Sequence, residues 1–75
     1  METEQRIPLW YKYFCMKIIE LREQKTNDEI FFNSNRLGGY ISGLLMAYVI
    51  TTDEQEILSS FKDNARDYAV SDMSN

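Results

Sequence analysis

The side chains able to do chemistry are few in this chain, and their spacing restricts what they can do. Carboxylates recur at helical intervals: Glu20 and Glu23 lie three apart, as do Asp53 and Glu56. Asp53, Glu56, Ser60, Asp63 and Asp67 share one flank of a 3.6-residue helix. Paired acids serve as general acid and base when burial or a like charge separates their pKa values. Both pairs here look solvent-facing, without the pocket that acid–base work requires. The single cysteine, Cys15, has no histidine to activate it, because the chain contains none. Cys–His and Ser–His–Asp nucleophiles are therefore excluded within one chain, as is a Cys/His zinc site. Gly38-Gly39 lacks the spacing and the following Lys-Ser/Thr of a phosphate loop. The sequence predicts no catalytic residue, no cofactor and no metal, and a protein that is not an enzyme.

What remains is chemistry of recognition. The first candidate is the acid flank, with Glu56, Asp63 and Asp67 as its partner-binding residues. A row of carboxylates can imitate a phosphate backbone or meet a basic patch, although its ordinary role is a solvated face. Twelve acids against eight bases give a net charge of −4. The imbalance belongs to residues 51–75, where six acids stand against Lys62 and Arg66; residues 1–26 hold four acids and five bases. Direct nucleic-acid binding is not expected, since a helix opening Asp53-Glu54-Gln55-Glu56 repels phosphates.

The second candidate is apolar. Trp10, Tyr11, Phe14, Ile18 and Leu21 form a core stripe, yet Tyr13, Met16 and Ile19 lie outside it as surplus apolar surface. Tyrosine and methionine suit interface cores, so these three residues are partner-binding candidates, unless a wedged first helix buries them internally. The third is a helix-packing groove. Leu37–Ile50 carries no charge, and Gly39, Gly43 and Ala47 recur every four residues opposite a ridge of Leu37, Ile41, Leu44, Leu45 and Tyr48. The groove suits either a second copy of the chain or, as the preferred expectation, the first helix, with Trp10 or Phe14 filling it.

The elements that must position these residues are three helices. Three glycines and one proline in 75 residues leave little turn material for strands. Pro8 opens helix 1 at its first position, over about 8–24. Thr26-Asn27-Asp28-Glu29 forms a capping box from which helix 2 can start at 27. Alternatively, Asn33-Ser34-Asn35 interrupts it, Ile30–Phe32 makes a separate turn and Ser34 caps a helix over about 34–50, which is the preferred start. Thr51–Gln55 supplies a second box, pairing Thr51 with Glu54 or Thr52 with Gln55, and opens helix 3 over about 53–69, which turns Ile57, Leu58, Phe61, Ala65 and Tyr68 inward. The short connection makes helices 2 and 3 an antiparallel hairpin. Residues 1–6 and 71–75 are expected to be loose. The predicted fold is one all-α, compact three-helix domain.

Gly39–Ala65, with Gly43-Leu44-Leu45, Ala47, Ile50-Thr51, Asp53-Glu54, Leu58 and Asn64-Ala65, resembles a pattern of small phage- and prophage-encoded helical accessory proteins. There a glycine-bearing apolar helix leads through a Thr/Ser-Asp/Glu turn into a short acidic helix. The resemblance covers about a third of the chain and implies a protein that binds and modulates host or defence machinery. The combined expectation is a small interaction module whose partner is another protein. A homodimer also fits, and the alternatives are an acidic nucleic-acid mimic or an assembly subunit. A polar start without a signal-like apolar run, a lone cysteine and an apolar stretch shorter than the roughly 20 residues of a membrane span predict a cytoplasmic protein that does not enter a membrane.

Overall fold

The computed structural model describes residues 7–73 and contains α1 (Leu9–Arg22), α2 (Asn27–Met46) and α3 (Thr52–Met73). The three-helix, all-α prediction holds, with α2 and α3 as an antiparallel hairpin. Residues 1–6, expected to be loose, lie outside the described residues, as do 74 and 75. Residues 71–73, also expected to be loose, instead form the last turn of α3.

Local chemistry sets each boundary. Pro8 stands one position ahead of α1 rather than inside it, and its carbonyl accepts from the amides of Tyr11 and Lys12, both at 3.1 Å. At the start of α2 the Thr26 hydroxyl accepts from the Glu29 amide at 3.1 Å, and the Glu29 carboxylate accepts from the Lys25 amide at 3.4 Å. The early start therefore prevails, and Ser34 is a mid-helix residue rather than a cap. Continuity is enforced by packing: Ile30, Ser34, Leu37, Ile41 and Leu44 are all buried, on alternating steps of four and three. A break at residues 33–35 would take Ile30 out of register with Leu37. Asn33 does not compete with the helix either, because its side-chain amide donates to the Glu29 carbonyl one turn back at 2.8 Å.

The helix ends four residues before the predicted Ile50. Tyr48 adopts φ 61°. Its amide donates to the Leu45 carbonyl at 3.0 Å, and the Val49 amide donates to the Leu44 carbonyl at 2.9 Å. These two bonds form a Schellman cap with tyrosine in the left-handed position usually held by glycine. Tyr48 consequently leaves the predicted ridge and stands 94% exposed. Three residues on, the Thr51 hydroxyl accepts from the Glu54 amide at 3.1 Å, and the Glu54 carboxylate accepts from the Thr51 amide at 2.8 Å, completing the predicted box.

The core joins Phe14 and Leu21 of α1, the buried row of α2, Ile50, and Leu58, Ala65 and Ala69 of α3. The inward face of α3 is thus rotated from the predicted one. Leu58, Ala65 and Ala69 are buried, while Ile57, Phe61 and Tyr68 keep about half their surface in solvent. Alanine at two of the three buried positions lets α3 approach closely, and the aromatic residues fall to the edge of the contact.

The glycine groove is corrected as well. A β-carbon built on Gly39 or Gly43 would meet nothing within 4 Å, and Ala47 is exposed. Neither α1 nor α3 fills the groove, because both pack on the opposite face of α2, where Leu37, Ile41 and Leu44 supply the larger apolar area. On that side the Tyr40 hydroxyl donates to the Trp10 carbonyl at 2.9 Å, and the Tyr13 and Tyr40 rings lie 4.8 Å apart. Tyr13 faces Tyr40 while Lys17, one turn on, shares a cleft with Arg36 and Asn33, so α1 and α2 are antiparallel and α1 and α3 run in the same direction. No helix among the described residues is long and apolar enough to cross a membrane.

Candidate protein-docking face

Between α1 and α3 runs an open groove of about 460 Å³. Its floor is Phe14 and Ala65, both buried in the core. One wall is the α1 row Tyr11, Cys15, Ile18, Ile19 and Arg22; the other is the α3 row Phe61, Asn64 and Tyr68. The groove lies where the buried Ala65 of α3 sits beside Phe14 of α1. Small side chains at the contact leave the larger ones on either side without an opposite number. Ile19, Phe61 and Tyr68 are 54%, 46% and 49% exposed. Three large apolar side chains thus stand half in water around one groove.

Ring contacts mark both ends of the groove. The Arg22 guanidinium lies 4.2 Å from the centre of the Tyr68 ring, a cation–π contact that holds both side chains across one end. At the other end Tyr11 stacks on Phe14 with ring centres 6.4 Å apart and meets Trp10 edge-on at 5.7 Å. The hydrogen bond to the Cys15 side chain, together with the negative charge that thiol can carry, raises the Tyr11 phenol above its ordinary value of 10.0. The groove presents two phenols, an amide, a thiol and one guanidinium, with no carboxylate among its lining residues. Such a set stacks and donates hydrogen bonds. Among the described residues no three His, Cys, Asp or Glu side chains converge as metal ligands.

The structure divides the candidate residues that the sequence placed together. Ile19 lines the groove, and Met16 lies exposed on the same helix, beyond its rim. Tyr13 turns to the other side, where it packs on Tyr40 with Lys17 Nζ 5.2 Å from its ring. It belongs to the seam between α1 and α2. Glu56 stands exposed on the outer side of α3. Asp63 and Asp67 are partly neutralised: Arg66 reaches Asp63 at 3.8 Å and Asp67 at 3.6 Å, and Lys62 reaches Asp63 at 3.6 Å. One arginine thus bridges two carboxylates of the row. Gly39, Gly43 and Ala47 lie on α2, away from the groove.

Phe61, Tyr68 and Arg22 were not legible as site residues. Phe61 and Tyr68 are in phase with a core stripe, and only the rotation of α3 sets them at its edge. Two further apolar surfaces flank the domain, Phe31 and Phe32 at the start of α2 and Met46, Tyr48 and Val49 at its end. Comparison of the chain with protein-family models, with curated proteins and with solved structures finds no match to any of them.

Proposed function

We propose that this chain is a small non-enzymatic interaction module that docks another protein surface in the groove between α1 and α3. The observation that carries the proposal is the half-exposed trio Ile19, Phe61 and Tyr68 around a groove whose polar groups stack and donate hydrogen bonds. In its most concrete form the module is an inhibitor or modulator that occupies a surface on a host or defence protein, as the resemblance of Gly39–Ala65 to phage and prophage accessory proteins implies. A cytoplasmic setting belongs to the same proposal, because Cys15 has no second cysteine in the chain to pair with. The acidic-mimic alternative is weaker, since Arg66 and Lys62 already lie beside two of the three carboxylates it needs.

Immobilised full chain and extract of the source cells test the reading. Capture that resists high salt, and that is lost in Ile19→Glu and Phe61→Glu with helicity unchanged, supports groove docking, because apolar contacts are not screened by ions. Capture lost in salt and in the triple reversal of Glu56, Asp63 and Asp67, but kept in Ile19→Glu, overturns it in favour of the acid flank.

A further inference from the structure

On the other side of α1 from the groove, the seam between α1 and α2 opens into a cleft of about 220 Å³. It is lined by Tyr13, Lys17, Asn33, Arg36, Leu37 and Tyr40. The register of the two helices explains this content. Tyr13 meets Tyr40, and in an antiparallel pair one turn on from Tyr13 lies level with one turn back from Tyr40. Those positions are Lys17 and Arg36, so the seam sets two cations opposite each other, where like charges repel. Glu20 accepts from Lys17 Nζ at 3.1 Å but does not line the cleft. Arg36 forms no ion pair among the described residues, and its guanidinium lies 5.6 Å from the centre of the Phe32 ring. A chain of net charge −4 thus has a cleft with two cations and no acid in its lining.

We propose that this cleft is an anion site that takes a phosphoryl group, either as free phosphate or as the head of a phosphomonoester. The Arg36 fork suits two oxygens of a tetrahedral anion, and Lys17 on the opposite wall supplies a donor for a third. Glu20 takes one of the three ammonium protons and leaves two. Asn33 gives one side-chain N–H to the Glu29 carbonyl at 2.8 Å and keeps a second for the ligand. A planar carboxylate has two oxygens and a single charge, too few to answer both walls. Tyr40 is a wall and not a donor, because its hydroxyl already donates to the Trp10 carbonyl at 2.9 Å. Together with Leu37 and the Tyr13 ring it lines the cleft with low-dielectric surface, against which charge interactions are screened less than in open water. The cleft is smaller than the roughly 300 Å³ at which pockets begin to enclose a whole organic ligand. It therefore holds the anionic head, and whatever carries that head extends into solvent. The site stands apart from the α1/α3 groove and does not depend on docking there.

Amide chemical shifts of the ¹⁵N-labelled full chain, titrated with inorganic phosphate or phenyl phosphate, test this. Sodium chloride and sodium acetate at matched ionic strength are the controls. The expected result is saturable shifts centred on Tyr13, Lys17, Asn33 and Arg36, with a Tm that rises as ligand is added. Arg36→Gln and Lys17→Gln keep the helical spectrum and each weaken binding about tenfold. Ile19→Glu, on the groove side of α1, binds as the unaltered chain does. Phenyl phosphate binding tighter than phosphate marks a monoester as the source, and equal or weaker binding marks free phosphate. Shifts that never saturate, that chloride or acetate reproduces, or that persist undiminished in Arg36→Gln overturn the proposal.

Discussion

Two residues carry conformational cost that packing does not require of their side chains. Tyr48 occupies the left-handed region at φ 61° with its ring 94% exposed, so the fold uses its backbone and gains little from its side chain. Left-handed geometry costs an L-residue about 1–2 kcal/mol, which glycine avoids. Tyr48→Gly is expected to raise stability by about 1 kcal/mol in chemical denaturation while keeping the Schellman cap. Gly43 is the converse case. It sits mid-helix, where a β-carbon meets nothing within 4 Å. Gly43→Ala is expected to stabilise the fold by roughly 0.5–1 kcal/mol, a rise of several degrees in Tm for a domain of this size. A fall in Tm would reveal a close partner on α2 and revive the small-residue groove as a contact surface.

Among the elements, α1 depends most on tertiary contacts. It has no side-chain N-cap and no acid in its first turn, whereas α2 and α3 each open on a threonine–glutamate box. Its lower end is tied to α2 by Tyr40, whose hydroxyl donates to the Trp10 carbonyl. Burial, reinforced by the Tyr13 phenol beside it, raises the Tyr40 phenol above its ordinary value of 10.0. A phenol raised in the folded state favours folding fully below pH 10, and the contribution is lost as pH climbs through the raised value. Stability should therefore be flat through neutral pH and fall in alkali. Tyr40→Phe should cost about 1 kcal/mol at neutral pH and make the alkaline fall shallower, leaving the part due to Tyr11. Denaturant midpoints measured from pH 7 upward check both statements. An alkaline fall of undiminished steepness would place the titrating group elsewhere.

For the whole molecule the core is small, and most of it converges on α2. A chain of this length has roughly 4–11 kcal/mol of stability by the usual per-residue range. Leu21 is fully buried, and Leu→Ala in such a position costs about 2–5 kcal/mol. Leu21→Ala is therefore expected to remove a large share of the total stability, read as a clearly lowered denaturant midpoint by far-UV circular dichroism. The same economy explains the exposed apolar surface. Three helices give α2 one covered side, so Gly39, Gly43, Phe31 and Phe32 face outward. Between α1 and α3 the apolar side chains Ile19, Phe61 and Tyr68 likewise stay half in water around the groove.

The number of helices, the two threonine–glutamate boxes and the hairpin of α2 and α3 were determined by the sequence alone, because capping and periodicity act within a few residues of each other. Phe14, Leu21, Leu37, Ile41 and Leu44 were likewise legible as core, since each sits in an unambiguous helical stripe. Tertiary structure decided the rest. The continuity of α2 through Asn33-Ser34-Asn35 was decided by burial of Ile30 and Leu37 together, which outweighs the local preference of polar side chains for a break. The end of α2 at a left-handed tyrosine was decided by the packing of the next turn, with no glycine to announce it. Of the candidate site, Ile19 was visible as surplus apolar surface. Phe61 and Tyr68 were not, because a helix with a broad apolar stripe can be rolled through tens of degrees at little cost in buried area. The alanines at 65 and 69 settled that roll only when α1 and α2 were present to be approached.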